Sequence, residues 1–160
     1  STSHNARVVM IPTLYAGEYG PDIESVAKNA GLTADDVVDI HSGTDYLVYM
    51  MGFSPGFPYL GGLDERLATP RLESPRIEIP AGSVGIAEGQ TGVYPIASPG
   101  GWRLIGRTPV PLFDPNTNPP TVINAGDYVR FAQIDSEEEY MEIDRQAKAG
   151  EYKVSMETKQ

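Results

Sequence analysis

The sequence predicts a mostly β domain, a barrel or sandwich with a few short peripheral helices. Three observations predict it. Short runs of β-branched and aromatic residues recur along the 160 residues, bounded by turn residues. A block from Gly52 to Pro111 alternates glycine and proline with Phe, Tyr, Trp, Ile and Val, a mixture too apolar for a disordered tract. Few segments carry helical spacing together with caps.

The elements follow in order. Arg7–Pro12 reads as a first strand that Pro12 ends. Pro21 and Asp22 open a helix in which Ile23, Val26, Ala27 and Ala30 share a face and Gly31 is the stop. Thr33 and Asp36 have capping-box spacing and start a brief helix to about Ile40. Tyr46–Met51 is apolar at every position except its aromatic hydroxyls and reads as a buried strand. Inside the Gly/Pro block, short strands are expected at Ile77–Ile79, Val84–Ala87, Val93–Tyr94 and Arg103–Gly106. Pro115–Pro120 is a loop, and Ala125–Asp127 turns the chain into a strand at Tyr128–Ile134. Ser136 and Glu139 cap a helix to about Ala149, with Gly150 as its stop. Tyr152, Val154 and Met156 alternate with polar residues, the pattern of a last strand. Residues 1–6 read as a scar or linker and 7–160 as a single domain.

Composition narrows the function. Twenty-two acidic residues against 12 basic ones give a net charge of −10, which argues against nucleic acid and against an anionic membrane surface as partners. The absence of cysteine removes disulfides, thiolate nucleophiles and Cys-ligated metals, and fits a cytoplasmic location. No run approaches the ~20 apolar residues of a membrane span. With His4 and His41 as the only histidines and no acidic loop of EF-hand spacing, no metal site is expected. Walker-type and Gly-X-Ser-X-Gly motifs are absent, so ATP binding by this chain alone and serine hydrolysis are both unsupported.

A few residues remain as candidates for chemistry. His41, with Ser42, Asp45 and Tyr46, is either a general acid/base or substrate anchor, or a half-buried imidazole that bonds a turn. Arg71 and Arg76 bracket Pro75 and are either forks for a carboxylate or phosphate, or salt-bridge partners for the many acids. Salt bridges are the favoured reading for Arg103 and Arg107. Phe53, Phe57, Tyr59, Tyr94 and Trp102 either line an apolar groove, with Pro55, Pro58, Pro95 and Pro99 as rigid walls, or fill the barrel. The Gln90–Gly92 turn offers a ligand amide and backbone hydrogen bonds.

These motifs succeed one another in an order that resembles a known family. Gly-Phe-Ser-Pro-Gly-Phe-Pro-Tyr-Leu (52–60), Pro-Arg…Pro-Arg (70–76), Ile-Pro-Ala-Gly-Ser-Val-Gly-Ile-Ala (79–87), Gln-Thr-Gly-Val-Tyr-Pro (90–95), Ser-Pro-Gly-Gly-Trp (98–102) and Ala-Gly-Asp-Tyr-Val-Arg-Phe (125–131) resemble the allophanate hydrolase subunit 1 family. That family includes the B-type subunit of bacterial 5-oxoprolinase and the sporulation kinase inhibitor KipI. It is also similar to part of the carboxyltransferase domain of urea carboxylase.

The resemblance implies a cyclophilin-like β-barrel that is the C-terminal domain of a longer protein. It implies a non-autonomous subunit of an ATP-dependent 5-oxoprolinase, paired with a homologous C-type subunit and a third subunit, opening 5-oxoproline to glutamate. ATP would be used by the whole complex, with no cofactor held by this domain, and the isolated domain would be inactive. Within such a composite site, Arg71, Arg76, Gln90, Tyr94 and His41 would be polar contributors, and Phe53, Pro55, Phe57, Tyr59 and Trp102 the apolar wall. A second implied role is inhibition of a sporulation sensor histidine kinase by protein binding. A third is carboxyl transfer in urea carboxylase and allophanate metabolism, which would need an attached biotin carboxylase.

Overall fold

The computed structural model of the chain describes residues 6–51, 58–114 and 121–159. The elements run β1 (Arg7–Thr13), α1 (Ile23–Ala30), α2 (Ala34–Ser42), β2 (Tyr46–Met51), β3 (Pro58–Gly61), β4 (Arg76–Ile79), β5 (Ser83–Ala87), β6 (Gln90–Val93), β7 (Ser98–Gly100), β8 (Arg103–Arg107), β9 (Tyr128–Gln133), α3 (Glu137–Lys148) and β10 (Met156–Thr158). One large sheet has the order β10-β1-β9-β2-β3-β6-β5-β8, and β4 pairs with β7 in a separate ribbon. The mostly β architecture expected from the sequence is present.

The sheet closes on itself. Just beyond β1, Leu14 bridges to Arg107 of β8 through two backbone bonds of 2.9 and 3.0 Å. Strands β10 and β8 therefore meet the same side of the β1 line, one at each end: Met10 N–H donates to Ser155 and Leu14 N–H to Arg107. Pro12 lies between these two residues at the same parity. Its missing N–H falls where β1 changes partner, so no ladder bond is lost. For this reason Pro12 does not end the strand as expected; it pairs with Ala132 and the strand continues to Thr13.

Helices α1 and α2 cover part of the barrel. Ile23, Val26 and Ala27 of α1 and Val37 and Val38 of α2 enter one core with Val9, Ile11, Tyr46, Val48, Ile86 and Phe131. Each large aliphatic side chain among them contributes roughly 1.5–3 kcal/mol on burial. The helix starts are built as the spacing indicates. Thr33 and Asp36 form a complete capping box, whereas Ser136 accepts from Glu139 N–H and the Glu139 carboxylate turns instead to Asp135 N–H. Gly31 ends α1 at φ 71°. The edge of β8 is covered by Asp22, whose backbone N–H donates to Leu104 O (2.8 Å) and whose carboxylate accepts from Leu104 N–H (2.7 Å).

The centre of the barrel holds one polar chain. His41 is wholly buried. The Tyr15 hydroxyl lies 2.7 Å from Nδ1, and Nε2 lies 2.8 Å from Thr91 Oγ1. The Thr91 hydroxyl already donates to Gly85 O at 2.9 Å, so it can only accept from the ring. This fixes a neutral imidazole protonated at Nε2, with Tyr15 donating to Nδ1. The ring stacks on Phe131 at 4.7 Å, and the Tyr46 hydroxyl donates to the His41 carbonyl at 3.0 Å.

Burial holds the His41 pKa down, from 6.5 to about 3. The unfolded chain takes up a proton near pH 6.5 that the folded chain refuses. Stability is therefore fully present above that pH and is lost as pH falls toward 3. Between pH 7 and pH 5, before the carboxylates titrate, urea unfolding should register a loss of about 2 kcal/mol. His41→Gln should be less stable at pH 7 and show a flatter dependence over the same interval. An equal slope in both proteins would refute the assignment.

Candidate functional site: an aromatic face on a glycine floor

The outer face of β2, β3, β6 and β5 is where the expected residues gather. Leu60 pairs with Thr91 and both are buried, so Tyr59 shares the opposite, outer face with Gln90 and Gly92. Gly92 pairs with Gly85 on β5. The Trp102 side chain runs over this pair: a Cβ on Gly85 would sit 3.1 Å from Arg103 O and 3.2 Å from Trp102 Cβ, and one on Gly92 would sit 3.3 Å from Cζ3 of the indole. Two facing glycines thus form a floor for one side chain, Gly85 under its Cβ and Gly92 under its ring. Gly61 repeats the device, with the Tyr49 ring 3.3 Å from its Cβ position.

Trp102 is also held from the side. It packs on a small cluster of Ile79, Tyr94 and Leu104, with the Tyr94 ring edge-on at 6.1 Å. Burial raises the Tyr94 pKa; a bond to the Trp102 backbone and the nearby Arg71 charge oppose that shift. Tyr94 is itself only 7% exposed, so it supports the face from below.

The remaining candidates divide. Gln90 is exposed at the start of β6, and Tyr59 is half-buried on β3. Arg71 is exposed beside Gly101, whose Cβ position is 3.8 Å from Arg71 Cβ. Arg76 is a salt-bridge partner: its guanidinium grips Asp22 through two bonds of 2.7 and 3.0 Å. Of the other two, Arg103 donates to Pro70 O, and Arg107 lies over the Tyr19 ring; among the described residues neither has the acidic partner expected. His41 is placed in the core, neither facing a substrate nor half-buried at a turn. Helix α2 runs on to Ser42, two residues beyond the expected end, and so carries His41 inward on the Val37–Val38 face. Phe53, Pro55 and Phe57 lie outside the described residues. Two cavities of about 260 and 440 Å³ lie against α3; the first is lined by Tyr94 and Pro95, and neither takes in His41, Arg71, Gln90 or Trp102.

Sequence reasoning missed Leu47 and Tyr49. The run Tyr46–Met51 was expected to be wholly buried, yet Leu47 is 37% and Tyr49 51% exposed between buried Tyr46 and Val48. The period of two is real, but both faces are apolar, so hydropathy alone did not display it.

Similarity to known proteins places this face in a family. A model of the carboxyltransferase domain, subdomain C and D, matches residues 1–123. The chain belongs to that family. The B-type subunit of 5-oxoprolinase from Bacillus subtilis is 60% identical over 136 residues, which are 85% of this chain and 56% of that protein. Its counterpart from Escherichia coli O157:H7 is 53% identical over 79% of this chain and 58% of its own length. The chain thus spans rather more than half the length of these relatives. Among solved structures, a conserved uncharacterized protein from Pyrococcus horikoshii superposes with a TM-score of 0.79 and 59% identity, covering 83% of this chain and 62% of that one. The urea amidolyase of Kluyveromyces lactis shares the fold at a TM-score of 0.81 and 21% identity, over 98% of this chain and 11% of the amidolyase.

The glycine floor makes a specific demand. Gly92→Val places two methyl groups under the indole, and overpacking of this kind costs typically about 1–3 kcal/mol. The melting temperature should fall accordingly, and the emission of Trp102, the sole tryptophan, should shift to the red as the ring is lifted into water. Unchanged emission and melting would show that the glycines are not needed as a floor.

Proposed function

We propose that this chain is part of a 5-oxoprolinase subunit that acts only in assembly with other subunits and contributes one wall of a shared site. One observation carries the reading. An aromatic face of Leu47, Tyr49, Tyr59 and Trp102 is built on glycines and left facing outward, while the one described imidazole is sealed in the core with both nitrogens bonded. A surface prepared for contact, with the one described imidazole committed to the core, fits a component that partners complete. The identity to B-type subunits of 5-oxoprolinase supports the same reading. The reaction proposed is ring opening of 5-oxoproline to glutamate, with ATP consumed by the whole complex. In this proposal the domain holds no cofactor of its own, works in the cytoplasm, and meets a homologous C-type subunit and a third subunit.

The full-length protein, co-expressed with the products of its neighbouring genes, should hydrolyse ATP in a manner dependent on 5-oxoproline, whereas this chain alone should show none. A stoichiometric, folded complex without that activity would overturn the reading.

A further inference from the structure

Arginines in this structure are almost all spent. Arg7 holds Asp127, Arg66 holds Asp64, Arg76 holds Asp22, Arg130 holds Asp45 and Arg145 holds Glu142. Arg103 donates to Pro70 O, and Arg107 lies over the Tyr19 ring. Arg71 differs from these: it is exposed, and among the described residues its guanidinium has no hydrogen bond, no ion pair and no aromatic ring beneath it. Such an arginine stands out in a chain of net charge −10, where acids outnumber bases 22 to 12.

The backbone around Arg71 is nevertheless fixed. On one side Pro70 O accepts from Arg103 Nε at 2.9 Å, and on the other Leu72 N–H donates to Gly101 O at 2.7 Å. Pro75 packs on Gly101 as well, with its Cβ 3.8 Å from the Gly101 Cβ position. The Cα of Arg71 is therefore held in place before any ligand arrives, which lowers the backbone entropy lost on binding. Gly101, against which Arg71 lies, leads directly into half-buried Trp102, and the Arg71 charge reaches Tyr94, whose ring meets Trp102 edge-on. Arginine beside tryptophan and tyrosine is the composition of binding hot spots.

We propose that Arg71 is the anchor by which the aromatic face captures a carboxylate, an Asp or Glu side chain, on a protein partner. Arg71 is exposed and lines none of the three cavities found among the described residues. Charge complementarity selects the occupant. The acidic balance of the chain repels acidic proteins in general, so a guanidinium with no described acid beside an apolar ring admits only a segment that places one carboxylate there, with apolar residues against Trp102. This rests on the proposed function for the identity of the partner, since the same face is the one offered to the other subunits.

The test is a substitution series in the full-length protein, with association to the co-expressed subunits followed by Trp102 emission and sedimentation. Arg71→Ala should weaken association at least tenfold and reduce its salt dependence, Arg71→Lys should recover part of the loss, and Arg71→Glu should abolish binding. The melting temperature should not move, because the side chain has no described polar partner to lose. Unaltered association would overturn the proposal, as would intact assembly with a raised KM for 5-oxoproline, which would assign the cation to the small substrate. A parallel titration of the chain alone with a glutamate-rich peptide separates this from the proposed function. An emission change lost in Arg71→Ala sustains the anchor even where no active complex forms, and a change indifferent to the substitution overturns it.

Discussion

The hydrogen-bonded chain from Tyr15 through His41 and Thr91 to Gly85 is the constraint on which the rest depends. It joins the end of β1, helix α2 and strands β5 and β6 across an otherwise apolar core. Both ring nitrogens and both hydroxyls in it have partners, and each would cost about 1–3 kcal/mol if left without one. The positions of α2 and of the β5–β6 hairpin are therefore coupled: neither can shift without stranding a donor or acceptor in the core. Tyr46 adds a fourth attachment by bonding the His41 carbonyl, one of the orphan acceptors at the end of α2.

That coupling determines what the outside of the barrel can be. Thr91 faces inward and holds the chain, so its neighbours Gln90 and Gly92 on β6 must face outward. Gly85 serves twice, its carbonyl closing the inner chain and its bare Cα supporting the side chain of Trp102. The inner strut and the outer face are thus two sides of the same pair of strands. The imidazole that a catalyst would use is consumed in building the wall. What is left for recognition is a set of aromatic rings and the exposed guanidinium of Arg71.

Much of this was legible in the sequence, and the failures have physical causes. The strands β1, β5, β8 and β9 and all three helices declared themselves through period and caps. Strands β3 and β7 did not, because Pro58–Gly61 and Ser98–Gly100 hold Gly or Pro where strand formers are expected, and long-range pairing decided their conformation. The partner of Arg76 lies 54 residues away at Asp22, a distance no local spacing encodes. The motif order identified the family correctly, and of the candidates Tyr59, Gln90 and Trp102 share the outer face of the sheet. His41 did not join them, since two more residues of helix than its cap spacing suggested were enough to turn the ring inward.

The central claim is that this imidazole is a strut of the core. Nitrogen-15 NMR of the His41 ring tests it directly. A strut requires a proton on Nε2, none on Nδ1, and no titration from pH 7 down to the onset of acid unfolding. A folded-state titration with a midpoint near the ordinary value of about 6.5, or a proton on Nδ1, would contradict it.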